Sequence, residues 1–443
     1  MSQGALPGFR DFYPEQLATR NYLMSVWRDV ARRYGFVEYD GPPLEPLDLY
    51  TKKSGDEIVG QLYTFTDKGD RQVALRPEMT PTLARMVAAK ANAMRKPIRW
   101  FSVPQLFRYE RQQKGRLREH FQLNVDIIGE ASVAADAELL AVAIDVMRAL
   151  GLTAQDVRAR VSDRRLLTAL LLHVGVKKSE LPEVFAAIDK AGREPRETTL
   201  EKVAKSVSDP DARKGVERIL KNSKDLTALA SEFSDSPDVI EEISHMREYL
   251  GFLGALGVGD WVDFDLSIVR GLAYYTGKVF ELFDAKGEFR AICGGGRYDD
   301  LLSTIGGVDL PALGFGMGDV VLTELLRARE LVPAAELGTE YWVAADDDSL
   351  LPEVMTVAGR LRAKSRSVEY ALKSQTLARQ LKTASAAGVK NVVLLSRDDY
   401  AKGKVTVKTL ADGSERYFKK SIDPMNLWAM FTRNGGEVID PGK

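Results

Sequence analysis

Between Phe107 and Asp126 the chain reads FRYERQQKGRLREHFQLNVD, which gathers Arg108, Arg111, Lys114, Arg116 and Arg118 around one polar turn. Guanidinium groups present planar donors and keep their charge at any physiological pH, so they suit phosphate. The carboxylates and amides that follow suit an amine or an imidazole N–H. If residues 103–110 and 119–128 are the arms of a hairpin, alternation puts Arg108 and Glu110 on one face, with Gln122, Asn124 and Asp126 together on the returning arm. A polyanion site and an exposed charged hairpin are both compatible with this pattern.

Three glycine-rich stretches test for nucleotide loops. GLAYYTGKV, from Gly271 to Val279, has five residues between its glycines and Val where a P-loop needs Ser or Thr, so it is not one. GFGMGD, from Gly314, lacks the G-x-G-x-x-G spacing and βαβ context of a dinucleotide fold; alternating glycines in a strand instead mark close approach of a backbone or a ligand. CGGGRYDD, residues 293–300, places flexible or tightly packed backbone beside Arg297, and Tyr274 and Tyr275 read in isolation as strand aromatics. The single Cys293 excludes an internal disulfide or a multi-Cys zinc site, and His120, His173 and His245 are too scattered for ligand spacing. No structural metal is expected.

The elements that must position these residues follow from periodicity. Leu23, Val26, Trp27, Val30 and Tyr34 give a helix over 15–34 stopped by Gly35, and 134–150 gives another stopped by Gly151. FVEYD is strand-like, QLYTFTD, QVALRP and IRWFSVPQLFRYE suggest an antiparallel sheet, and HFQLNVDIIGE reads as a further strand. Residues 163–257 turn Lys/Glu/Asp-rich with helical spacing broken by Pro182, Pro195, Pro210 and Pro237, which predicts a helical insertion. The β pattern then returns in WVDFDLSIV, AYYTGKVFELF and EFRAICGGG. The expected organisation is α+β: a sheet domain over 1–330 carrying the insertion, a linker over 331–338, and a small α/β domain with a C-terminal tail over 339–443.

Length and composition agree with this division, since 443 residues with 45% hydrophobic content fill two or three cores. Lys+Arg number 62 against 63 Asp+Glu, so no global charge points to nucleic acid or membrane. Residues 361–420, however, hold 14 Lys+Arg against 5 Asp+Glu, compatible with a solvated surface or a nucleic-acid contact. The N-terminal MSQGALPGFRDFYPEQ has charges and prolines where a signal peptide needs an apolar run, and no membrane-length apolar stretch occurs. A soluble cytoplasmic protein with no membrane association is expected.

In order and content these stretches resemble the class II aminoacyl-tRNA synthetases, specifically the histidyl-tRNA synthetase family, over nearly the whole chain. GFRDFYPEQ resembles the family's opening, GFVEYDGPPLEPLDLY part of motif 1, LYTFTDKGDRQVALRPEMTP its Leu-Arg-Pro-Glu segment and FRYERQQKGRLREHFQLNVDIIG motif 2; VRGLAYYTGKVFE and GGGRYDDLL resemble two segments typical of the histidine enzyme. The resemblance implies a class II antiparallel-sheet catalytic domain followed by an anticodon-binding α/β domain, to which LARQLKTASAAGVKNVVLL and KVTVKTL are similar. It implies a histidine–tRNA ligase using L-histidine, ATP with Mg²⁺, and tRNA(His), and a homodimer through motif 1. In that pattern Arg108 holds the ATP α-phosphate, Glu110 lies near the nucleotide and Arg116 meets the γ-phosphate. Glu78 receives the histidine α-amino group with Thr80 close by, while Gln122 and Asp126 hold the amino acid. Tyr275 reaches the imidazole with Tyr274 beside it, and Arg270 faces the α-phosphate at the point of attack. Gln112, Gln113 and Lys114 would face the tRNA acceptor stem.

Two positions depart from the pattern: Ala273 stands where the family often has Asp, and Val320 and Val321 stand near where motif 3 carries an arginine. Valine can neither hold a phosphate nor stack on adenine as arginine does. Arg297, on its glycine-rich stretch, is the expected substitute. The rival readings are a non-catalytic paralogue acting as a histidine-responsive regulatory subunit, as in ATP phosphoribosyltransferase, and another class II synthetase such as the prolyl or threonyl enzyme. RGLAYYTG argues against the latter, and retention of a C-terminal domain argues against the former.

Overall fold

The computed structural model describes residues 4–51, 60–110, 115–191, 194–269, 274–335 and 337–419. The chain forms two compact units that divide between Pro333 and Ala334. In the larger, nine strands make one mostly antiparallel sheet. We number the strands β1 (Val37–Glu38), β2 (Leu44–Pro46), β3 (Tyr63–Thr66), β4 (Gln72–Leu75), β5 (Ile98–Ser102), β6 (Gln105–Phe107), β7 (Glu119–Ile128), β8 (Val157–Asp163), β9 (Val262–Phe264), β10 (Lys278–Asp284), β11 (Cys293–Arg297) and β12 (Ala312–Gly318). The order across the large sheet is β1-β5-β7-β12-β11-β10-β8-β9, with β6 paired to β7; β2-β4-β3 form a separate small sheet.

Alternation along the central strands assigns their faces. Leu123, Val125 and Ile127 of β7 and Leu313, Phe315 and Met317 of β12 point into the main core. Each such side chain contributes about 1.5–3 kcal/mol by burial. Leu23, Trp27 and Val30 of helix Pro14–Arg33 and Leu139, Val142 and Val146 of helix Val133–Ala149 cover them. Both helices end where the next glycine turns left-handed, Gly35 at φ 75° and Gly151 at φ 84°. His120, Gln122, Asn124 and Asp126 take the opposite face of β7, which carries the cleft described below.

The elements described between Arg164 and Ala255 are all helices and have their own core, built from Leu166, Leu170, Val184, Ile188, Val216 and Ile219. Asp163, Asp209, Asp225 and Ser236 accept backbone N–H bonds at the starts of four of these helices. The last helix, Pro237–Ala255, places Val239 and Ile243 in this core and Met246, Tyr249 and Leu253 in that of the sheet.

Some expected strands are shorter than their composition suggests. WVDFDLSIV yields only Val262–Phe264, because the Asp265 carboxylate takes the Ser267 N–H and hydroxyl and turns the chain. AYYTGKVFELF becomes a strand only from Lys278. In IRWFSVPQLFRYE, the strand breaks at Val103 and Pro104 before resuming as β6.

The smaller unit is a five-stranded mixed sheet flanked by helices, among them Leu351–Ala363 and Leu377–Ala386. Strands Tyr341–Ala345, Val368–Tyr370 and Asn391–Leu395 are parallel; Lys404–Thr409 and Glu415–Lys419 add antiparallel. The expected α+β class, an antiparallel-rich sheet domain with helices and a separate α/β domain, agrees with this architecture. Among the described residues no helix is long and apolar enough to cross a membrane.

Candidate active site

On the open face of β7 and β12 lies a cavity of about 270 Å³ lined by Glu78, Thr80, Arg108, Glu110, Arg116, Gln122, Asp126, Tyr274 and Tyr275, with Gln61, Asn124 and Tyr298. A second cavity of about 310 Å³ shares Arg108, Glu110, Arg116, Gln122, Gly294 and Gly316 with it, so the two form one cleft.

The cationic side is built by β6 and the segment after it. Arg108 Nε donates to the Pro77 carbonyl at 2.9 Å, and its backbone N–H donates to the Arg118 carbonyl. Glu110 lies between two guanidinium groups, 3.1 Å from Arg116 and 4.0 Å from Arg108. One carboxylate thus holds two cations at the mouth of a cleft, with Arg108 and Arg116 still partly exposed and able to meet an anion.

Glu78 is fixed from the other side. Its neighbour Arg76 is buried and donates to Asp40 Oδ1, the Gly41 carbonyl and the Gln105 carbonyl. These bonds tie the Leu-Arg-Pro-Glu segment to β6, and Thr80 follows at the start of helix Thr80–Ala88. Glu78 is buried within the cleft.

The third wall is aromatic and acidic. The Tyr298 hydroxyl donates to Asp126 Oδ1, and both side chains are buried. Burial pushes the Asp126 carboxyl up to about 7, against the lowering effect of the Tyr298 hydrogen bond. The Tyr274 ring stands 5.0 Å from that of Tyr275 and meets Tyr298 edge-on at 5.9 Å. The glycines of β12 make room for this arrangement: a β-carbon on Gly314 would collide with the Asp126 carboxylate, and one on Gly316 would come 2.8 Å from the Gln122 amide.

At the far end of the cleft, His120, Ile292, Cys293, Val320 and Val321 line the wall. His120 is driven down to about 3, first by burial and then by the charges of Arg108 and Arg10, so it is neutral.

Arg297 does not reach this cleft, which corrects the expectation that it substitutes for the missing arginine. It ends a fully buried central strand, and its guanidinium is held by Asp136 through two bonds of 3.0 Å, by the Glu130 carbonyl at 3.0 Å and by Asp299 at 3.3 Å. A buried guanidinium requires such partners and has none of its reach left over. Tyr298, the next residue, is the one that faces the site; its signal in GGGRYDD was an aromatic following the arginine. Gln61 also lines the cleft without a sequence signal beyond its polar type. Arg270, Ala273, Gln112, Gln113 and Lys114 lie outside the described residues.

The chemistry available is therefore anion binding by two arginines, ammonium binding by a buried glutamate, and recognition of a planar N–H group by an aspartate among tyrosines. Among the described residues, no group of three or more His, Cys, Asp and Glu side chains is placed to hold a metal ion.

Comparison with known proteins places the chain in a family. Residues 8–319 match the family model described as histidyl-tRNA synthetase, and residues 337–431 match an anticodon-binding domain. A histidine–tRNA ligase of Opitutus terrae is 43% identical over 422 residues, covering 93% of this chain and 94% of that protein. The chloroplastic/mitochondrial histidine–tRNA ligase of Arabidopsis thaliana is 41% identical over 418 residues, covering 94% of this chain and 84% of its own. The crystal structure of a histidyl-tRNA synthetase from Nostoc shares the fold, with a TM-score of 0.80 at 22% identity, over 97% of this chain and 100% of that one.

Proposed function

The chain belongs to the histidyl-tRNA synthetase family, and on that premise we propose that it is a histidine–tRNA ligase acting through the cleft described above. It joins histidine and ATP to give histidyl-adenylate and pyrophosphate, then passes the histidyl group to the 3′ end of tRNA(His). One observation carries this reading: Glu78, Thr80, Arg108, Glu110, Arg116, Gln122, Asp126, Tyr274 and Tyr275, far apart in the chain, line a single cavity.

Glu78 takes the α-amino group of histidine, with Thr80 beside it. Gln122 and Asp126 hold the amino acid, and the imidazole lies among Asp126, Tyr275 and Tyr274, its N–H donated to the carboxylate. Arg108 meets the α-phosphate and Arg116 the γ-phosphate, while Glu110 orients both guanidinium groups before ATP arrives. The histidine carboxylate is already ionised at neutral pH, so its attack needs no base. Its oxygen bonds to the α-phosphorus as the α–β bridging bond breaks and pyrophosphate leaves. Two anions must approach for this, and the cations Arg108 and Arg270 lower the barrier by screening them. The terminal adenosine hydroxyl of the tRNA then attacks the histidyl carbonyl, releasing AMP. Mg²⁺ enters with ATP as part of the substrate, carried on the outer phosphates.

Gln112, Gln113 and Lys114 serve the acceptor stem, and the α/β domain over 339–443 binds the anticodon region through its basic excess. The domain scheme is a catalytic domain over 1–330 with its helical insertion at 163–257 and a linker over 331–338. The protein acts as a homodimer through its motif 1 segment and works in the cytoplasm.

Histidine alone among the standard amino acids is expected to support ATP–pyrophosphate exchange. Equal exchange with proline or threonine would refute the assignment, and absence of exchange with histidine would leave the regulatory-subunit reading in its place.

A further inference from the structure

We infer that Arg10 is a positioning residue for the wall of the ATP cleft made by His120, Val320 and Val321, against which the nucleobase would rest with the phosphates at Arg108 and Arg116, and that it acts through Glu119 and Asp319; this rests on the reading of that cleft given above. Arg10 lies in the extended segment ahead of helix Pro14–Arg33, 109 residues from one partner and 309 from the other. Its Nε donates to Glu119 Oε1 at 2.7 Å and its Nη1 to Asp319 Oδ2 at 2.9 Å. The two carboxylate side chains are only 2% and 3% exposed, against 24% for the arginine.

Each carboxylate is also tied to the frame of the site. Glu119 opens β7 and accepts from the Gln105 amide of β6 at 2.9 Å. Asp319 stands where β12 gives way to helix Asp319–Ala328, and its second oxygen accepts the Phe121 N–H at 2.9 Å. The last backbone pair between β12 and β7 is Gly318 with Gln122. The Asp319 carboxylate therefore continues the ladder one residue beyond the point where the backbone leaves it.

The consequence lies on the other face of the same backbone. His120 sits between Glu119 and Phe121, and Val320 and Val321 follow Asp319; all three line the cleft. One guanidinium thus sets the spacing of both sides of the wall. Without it two buried carboxylates would share a site uncompensated, and they would have to separate or take up protons. Burial already moves Asp319 upward with Arg10 in place.

The wall needs this support because, among the described residues, His120, Ile292, Cys293, Val320 and Val321 give this end of the cleft no cation, Arg108 and Arg116 lining it where it joins the first cavity. Val320 and Val321 stand near where motif 3 ordinarily carries an arginine, and Val321 packs so closely on Gly115, the residue before Arg116, that a β-carbon there would lie 3.2 Å from Val321 Cγ2. His120 is neutral. A wall of valine and neutral imidazole holds a purine by shape and contact, and contact is lost with displacements of less than an ångström. Backbone placement, which Arg10 governs, then decides how well ATP binds.

The test is histidine-dependent ATP–pyrophosphate exchange by the full chain carrying Arg10→Met or Arg10→Lys, with KM measured separately for ATP and histidine and folding followed by circular dichroism. Arg10→Met is expected to raise the ATP KM roughly tenfold, the scale of one lost charge-assisted hydrogen bond, with histidine KM near wild type and partial recovery in Arg10→Lys. A folded Arg10→Met protein with unchanged ATP KM, or with both KM values raised together, overturns the inference. Should Arg10→Met fail to fold, Asp319→Asn keeps an acceptor for the Phe121 N–H and removes the charge that Arg10 holds. A smaller ATP-selective rise in KM is expected there, and none overturns the inference. A wild-type protein without exchange refutes the functional reading alone; direct titration of ATP into wild-type and Arg10→Lys protein then decides, equal affinities overturning the role of Arg10.

Discussion

The Tyr298 hydroxyl donates to the Asp126 carboxylate although the two residues are 172 positions apart, and both side chains are buried beside the cleft. This fixes one oxygen of Asp126, directs the carboxylate and leaves a charge-bearing group buried from water.

Asp126→Asn is expected to stabilise the protein while disabling it. Unfolded, an aspartate titrates near ~3.9; folded, Asp126 titrates at about 7 because of burial. Between those values the native state holds the extra proton, so stability from this group falls as pH rises and the cost is complete above about 7. The variant carries no such cost. Its melting temperature should exceed that of wild type at pH 8, the gap closing toward pH 4, while its histidine KM rises by roughly tenfold or more for want of a charged acceptor. A gap independent of pH would show that Asp126 ionises without penalty.

Arg297→Ala is expected to unfold the sheet domain rather than alter nucleotide kinetics. The substitution leaves Asp136 buried without its bidentate partner, which costs about 3–5 kcal/mol. Replacing both, as Arg297→Met with Asp136→Leu, should recover much of that loss in urea titration. A stable Arg297→Ala enzyme whose only defect is a higher ATP KM would return this residue to the cleft.

Truncation after Pro333, between the two compact units, should leave histidine-dependent ATP–pyrophosphate exchange largely intact and reduce charging of tRNA(His) by one to several orders of magnitude, on the scale of several lost phosphate contacts. Undiminished charging in an aminoacylation assay at physiological salt would remove the smaller unit from tRNA binding.

How much of this was legible follows from the range over which each feature is determined. The period-two pattern of Gln122, Asn124 and Asp126 places three polar groups on one strand face by local stereochemistry, and β7 carries them so. Gly314 and Gly316 announced a close approach, and Asp126 and Gln122 are what approaches. Arg297 misled because a cation beside glycines can serve a ligand or a buried carboxylate. The deciding partner, Asp136, stands 161 residues earlier on a helix whose packing periodicity cannot reveal. The Arg10 contacts were hidden for the same reason. The stretch 274–277 resembled a strand because aromatics dominate it, yet it is Tyr274 and Tyr275 facing the cavity that its irregular backbone allows.

Helix Pro237–Ala255 bears on what can be removed from this protein. Read along the chain, 163–257 is a cassette that enters and leaves the sheet domain at neighbouring strands, β8 and β9. In space the cassette is not separable, since its last helix lends Met246, Tyr249 and Leu253 to the core beneath the sheet. Excising it would strip three large side chains from the core that they share with helix Val133–Ala149, and grafting it elsewhere would carry an apolar half-helix into water. Its loss or exchange during divergence thus requires a compensating change in the sheet, so modularity in sequence overstates modularity in energy.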